Sequence, residues 1–148
     1  MKPRHLEFQI SLSRPRAEVF PFFADARNLE LITPPWLKFS IVTPGPLRMG
    51  QGALIDYRLK VRGIPIRWRT EITAWEPPAW FVDQQRKGPY RLWIHEHRFL
   101  EHNGATEVTD NLTYIPRGGW LVDWIFVRRD VQKLFAFRQI KLRALFGG

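Results

Sequence analysis

His95 and His97 stand two residues apart in the run Trp93-Ile94-His95-Glu96-His97-Arg98-Phe99. In an extended strand that spacing turns both imidazoles to one face. Such a pair can share a metal, move a proton beside a carboxylate, or hydrogen-bond inside a pocket. Asp110 is the carboxylate that matters first, because its alternating run (Val108, Asp110, Leu112, Tyr114) forms the strand after the histidines. Asp110 or Asp83, beside His95 or His97, could serve as the base of an aldol-type cyclisation or a dehydration, in which a carbanion forms next to a carbonyl. The same trio of His95, His97 and Asp110 could in principle hold a metal. No third imidazole is at hand, since His5 and His102 fall at strand ends. The expectation is therefore a hydrogen-bonded pair in a pocket wall, with no metal and no cofactor.

Other chemistries lack their residues. The chain has no cysteine, and its serines are Ser11, Ser13 and Ser40, none in a nucleophile-elbow setting. Neither a phosphate-cradling glycine loop nor a dinucleotide fingerprint is present.

A long helix must face these groups. From Gly118 to Phe146 apolar residues recur at helical spacing, placing Trp124, Val127, Val131, Leu134, Phe135, Leu142 and Leu145 on one side, with Asp130, Lys133 and Lys141 opposite. Arg138 interrupts the apolar arc. A guanidinium there needs a carboxylate or water, and the reading is an internal strut to Asp110.

Upstream, the chain alternates. A first strand runs from Arg4 to Leu12, with Leu6, Phe8, Ile10 and Leu12 on one face. Ser13 is read as an N-cap for a short helix to Phe23, and Asp25 opens a second one through Ile32, ended by Thr33-Pro34-Pro35. Six strands follow: 37–43, 53–61, 66–74, 80–86, 90–100 and 106–115, separated by proline and glycine turns such as Gly63-Ile64-Pro65 and Lys87-Gly88-Pro89. Parity sends Ile55, Tyr57, Leu59, Val61, Ile66, Trp68, Thr70 and Ile72 inward. In the fifth strand Phe81, Asp83 and Gln85 are chosen over Trp80 and Val82. The inner face is then aromatic but threaded with polar groups. Its expected ligand-contacting set is Tyr57, Trp68, Asp83, Gln85, Trp93, His95, His97, Phe99, Asp110 and Tyr114, joined by Val131, Phe135 and Arg138 of the helix. Buried charge and imidazole are costly unless paired, so such a face either satisfies them internally or lines a cavity for a small molecule.

At 148 residues the chain is expected to form one domain, 1–148, able to bury a core without staples. No signal-peptide core opens it and no window is apolar enough to span a bilayer, which places it in the cytoplasm. A net charge of +9 admits an anionic ligand, an anionic membrane surface or nucleic acid. Arg58, Lys60, Arg62, Arg67 and Arg69 could share the outer face of one hairpin, read here as a solvated face. Without interleaved aromatics it offers no base-stacking platform, so nucleic acid is not expected. Arg128, Arg129, Lys133, Lys141 and Arg143 form a second basic set on the helix. An anionic membrane surface thus stays open as a partner, with Phe126 and Phe137 as contacts. Oligomeric state is not legible.

The order of elements, with Thr33-Pro34-Pro35-Trp36, Trp75-Glu76-Pro77-Pro78, the run from Gly88 through Phe99, Asp110 followed by Tyr114, and Phe135-Ala136-Phe137-Arg138, resembles the START-like helix-grip superfamily (SRPBCC). The bacterial polyketide cyclase/dehydrase-like branch fits best. The superfamily also includes START domains and the major birch pollen allergen. The resemblance implies an α+β helix-grip fold: a seven-stranded antiparallel sheet wrapped around a long C-terminal helix, with two short helices between the first two strands. It implies a hydrophobic or amphipathic ligand (lipid, quinone, sterol or polyketide-like) between sheet and helix, and it carries no particular reaction.

Overall fold

The structure is a computed structural model describing residues 1–148. Strands β1 (Arg4–Leu12), β2 (Ser40–Ile41), β3 (Leu54–Val61), β4 (Ile64–Glu76), β5 (Trp80–Lys87), β6 (Tyr90–His102) and β7 (Ala105–Pro116) form one antiparallel sheet in the order β1-β7-β6-β5-β4-β3-β2. Helix α1 (Arg16–Ala24) and a 3-10 helix (Ala26–Glu30) lie between β1 and β2. After β7, α2 (Gly119–Val122) passes through a π-helical turn (Asp123–Val127) into α3 (Arg128–Phe146). This helical run of about 40 Å faces the sheet. The expected architecture, strand count and inward parity of β3 to β7 are all present.

Two packed cores hold the helix to the sheet. At one end Phe20, Phe81, Phe99 and Leu142 pack with Ile10, Leu12 and Val108. At the other, Trp93, Leu112, Tyr114, Val131 and Phe135 pack together over β6 and β7. Register shifts between β4 and β5, at Arg69/Thr70 and Ile72/Ala74, mark bulges, which bend a strand and strengthen its twist.

Five local expectations are corrected. The strand expected at 37–43 shrinks to Ser40–Ile41, because Pro35–Leu37 form a 3-10 helix and Lys38 takes a left-handed conformation at φ 48°. Ser13 is not a cap: Pro15 occupies that position in extended conformation, with no side-chain bond. The β3–β4 turn is Arg62-Gly63, since Val61 pairs with Ile64 and both turn residues have positive φ, 50° and 80°. Two left-handed residues make a tight hairpin turn, so Arg62 sits at a tip instead of in the outer-face row. Finally, the extra residue in the π turn rotates the helical phase N-terminal to it. Asp123 therefore turns inward, accepting from the Tyr114 hydroxyl at 2.6 Å and pairing with the Arg4 guanidinium at 3.2 Å, and Trp124 turns out. Leu145, expected inside, is also exposed.

Candidate functional site

Strand pairing brings the chemistry-bearing residues together: Asp83 lies opposite His95, and His97 opposite Asp110. Each imidazole then reaches the other strand's carboxylate. His95 Nε2 is 2.7 Å from Asp110 Oδ1, and His97 Nε2 is 2.5 Å from Asp83 Oδ2. The two rings lie 3.7 Å apart, and His97 stacks on Phe81 at 4.2 Å. Every residue of this quartet comes from an alternating position on β5, β6 or β7, so the strand period itself creates the cluster.

Arg138 reaches toward the cluster from α3 but forms no ion pair with Asp110, contrary to the expected strut. The close partners of Asp110 are the imidazoles, His95 at 2.7 Å and His97 at 3.5 Å. The guanidinium lies 5.0 Å over the Phe135 ring, is only 7% exposed, and its Nε has no hydrogen-bond partner. Trp68 Nε1 and His97 Nδ1 are also buried without partners.

All three of these residues line one cavity of about 900 Å³ between the sheet and α3. A smaller hollow of about 50 Å³ shares Tyr57, Asp83, His97 and Arg138 with it. Of the residues expected to contact a ligand, Tyr57, Trp68, Asp83, Trp93, His95, His97, Val131 and Arg138 line the large cavity. Five stand elsewhere, for local reasons. Gln85 is held by Tyr90, donating to its carbonyl at 2.8 Å and accepting from its N–H at 3.1 Å. Phe99 packs against Phe20 and Phe23. Asp110 lies behind His95, Tyr114 is tied to Asp123, and Phe135 stacks on Phe8 at 4.3 Å.

Sequence reasoning missed most of the mouth. Arg62 at the hairpin tip reaches Asp130 of α3 at 2.9 Å and both line the cavity, as do Leu37 and Ile64. Asp130 and Lys133, expected on the far side of the helix, both line the cavity instead. The left-handed preference of a residue-glycine pair was the available signal for Arg62.

Asp83, His95 and His97 offer ligand atoms within 4.8 Å of one another. Against a metal stands the neighbouring Arg138 guanidinium. The arrangement suits hydrogen bonding and proton transfer better.

A family model described as polyketide cyclase/dehydrase and lipid transport matches residues 12–136. The chain belongs to this family. Solved structures confirm the helix-grip fold of this family member. The Zhui aromatase/cyclase from Streptomyces sp. R1128 is 18% identical with a TM-score of 0.69, covering 97% of this chain and 96% of that one. Protein Ms6760 from Mycobacterium smegmatis is 20% identical with a TM-score of 0.73 over 95% of this chain and 89% of its own. Protein CV1439 from Chromobacterium violaceum, at 11% identity, has a TM-score of 0.76 over 97% of each chain. Among curated proteins, no sequence matches.

The charges in this cavity make stability depend on pH. Burial pulls both carboxylates upward, but the imidazoles and Arg138 outweigh it and hold Asp83 and Asp110 below the usual range. Burial and the neighbouring His95 push His97 down, only partly offset by Asp83. For His97 the unfolded chain binds a proton that the folded chain refuses. Stability is therefore complete above about pH 6.5 and declines below it. The depressed carboxylates contribute above about pH 4, and that contribution is lost as the pH falls through their folded values. Calorimetric melting should show both steps. His97→Asn should flatten the upper one and also shrink the lower, because His97 helps to hold Asp83 down; an unchanged upper step would contradict the assignment.

Proposed function

We propose that the protein binds a small, largely apolar molecule in the cavity, with an acceptor oxygen of that molecule turned toward Arg138. One observation carries this reading: a buried guanidinium, always charged, whose Nε has no protein partner and which faces a space of about 900 Å³. A volume of this size with aromatic walls and few polar groups suits a small-molecule site. Family membership agrees with a lipid or polyketide-like ligand.

Charge narrows the polar end. Two ionised carboxylates already face one guanidinium, so a ligand carboxylate would add a second uncompensated negative charge in a buried place. A neutral carbonyl, as in a ketone, ester or quinone, accepts from Arg138 without that cost.

A second reading, cyclase or dehydratase chemistry, is favoured by the two Asp–His contacts. A carbonyl polarised by Arg138 has a more acidic neighbouring C–H. His97, which lines the cavity and is held by Asp83, could take that proton. Asp110, behind His95, would orient that imidazole and not touch substrate.

One titration addresses both readings. A medium-chain methyl ketone and the carboxylate of equal chain length are added while tryptophan fluorescence is followed. The ketone should bind and the carboxylate should not. Equal affinity for both would overturn the reading. In deuterated water, binding alone leaves the ketone's α-hydrogens in place; catalysis exchanges them, and His97→Phe stops the exchange.

A further inference from the structure

The first turns of the long helix carry exposed apolar side chains. Trp120 and Trp124 are 65% and 64% exposed, with Leu121, Ile125 and Phe126 exposed beside them. The π turn puts them there, since it turns Asp123 inward and its neighbour Trp124 outward. A contiguous patch of this kind marks a surface that something covers.

The surrounding charge says what. Both acids of this stretch are neutralised within the protein, Asp123 by Arg4 and Asp130 by Arg62. Arg117, Arg128, Arg129 and Lys133 have no acidic partner within ion-pair distance. A second copy of the chain, set face to face, would bring like charges together. A bilayer with anionic headgroups meets both demands, with phosphates for the cations and an acyl boundary for the apolar side chains. Tryptophan suits that boundary because one edge is apolar and the indole N–H can stay wet. The patch also borders the cavity mouth: Arg62, which lines the cavity, lies over the Phe126 ring at 4.7 Å, and Arg117 lines the same opening.

We propose that this face docks on an anionic lipid bilayer. Trp120, Leu121, Trp124 and Ile125 enter the headgroup–acyl boundary, the unpaired cations contact lipid phosphates, and the cavity mouth is held at the membrane surface. Phe137, expected from the sequence as a membrane contact, instead packs on Trp36 at 5.8 Å. Docking does not depend on what the cavity holds, so it can fail while the ligand reading survives, and the reverse.

The test is co-sedimentation of the protein with vesicles of phosphatidylcholine, alone or mixed with phosphatidylglycerol. Binding should require phosphatidylglycerol and weaken with salt. Trp120→Ala/Trp124→Ala and Arg117→Glu/Arg129→Glu should each lower it about tenfold or more, with melting temperatures unchanged because all four side chains are exposed. Binding that ignores lipid charge, variants that bind like the parent, or a concentration-dependent dimer lost in the tryptophan variant would each overturn the proposal.

Discussion

Replacing Phe135 by alanine should cost about 4 kcal/mol of stability, the upper range for deleting a buried aromatic. Phe135 is 1% exposed and stacks on Phe8 of β1 with ring planes 6° apart. Its edge meets His95 at 5.4 Å, and Arg138 lies over its face. The ring therefore fastens α3 to the sheet and also supports two residues of the cavity wall. The neighbours Trp93, Leu112 and Tyr114 are large and already packed, so collapse into the vacated space is limited. For a chain of this size the loss corresponds to about 10 °C in melting temperature. Thermal and urea unfolding measure it directly. A cost below about 1.5 kcal/mol would show that the helix is held mainly by the other core, around Leu142.

Arg138→Met should leave stability within about 1 kcal/mol of the parent but lower affinity for a carbonyl ligand by about tenfold to a hundredfold. Two opposing effects set the first number. The substitution removes the cost of burying a cation, which is large enough to pull the Arg138 pKa down, and it also removes attraction to Asp110 and Asp83. No direct ion pair to Asp110 is broken, unlike the case of a strut. The second number follows from losing a charge-assisted hydrogen bond, about 1.5 to 3 kcal/mol. A large stability loss with unchanged affinity would return Arg138 to a purely structural role.

The sheet was legible because most of each inner strand face follows the two-residue period, the bulged stretch of β4 aside. In β6, Trp93, His95, His97 and Phe99 are all buried as alternation demands. Once strand order followed chain order from β3 to β7, Asp83, His95, His97 and Asp110 had to meet. What could not be read was which of two facing acids each imidazole chooses, because that depends on side-chain reach across two ladders. Arg138 was seen as an anomaly in an apolar arc, yet its partner was misjudged for the same reason. The helix phase failed at Trp124 because a single π turn leaves the composition unchanged while shifting every residue before it. Arg62 was misplaced by one turn position, which moved it from the outer face to the cavity mouth. Residues within regular periods were predictable; those set by a bulge, a tight turn or a helix irregularity were not.

The decisive measurement is the affinity for a medium-chain methyl ketone in the parent protein and in Arg138→Met. The account predicts binding weaker by about tenfold or more in the variant, with both proteins equally folded. Equal affinity in the two would contradict it.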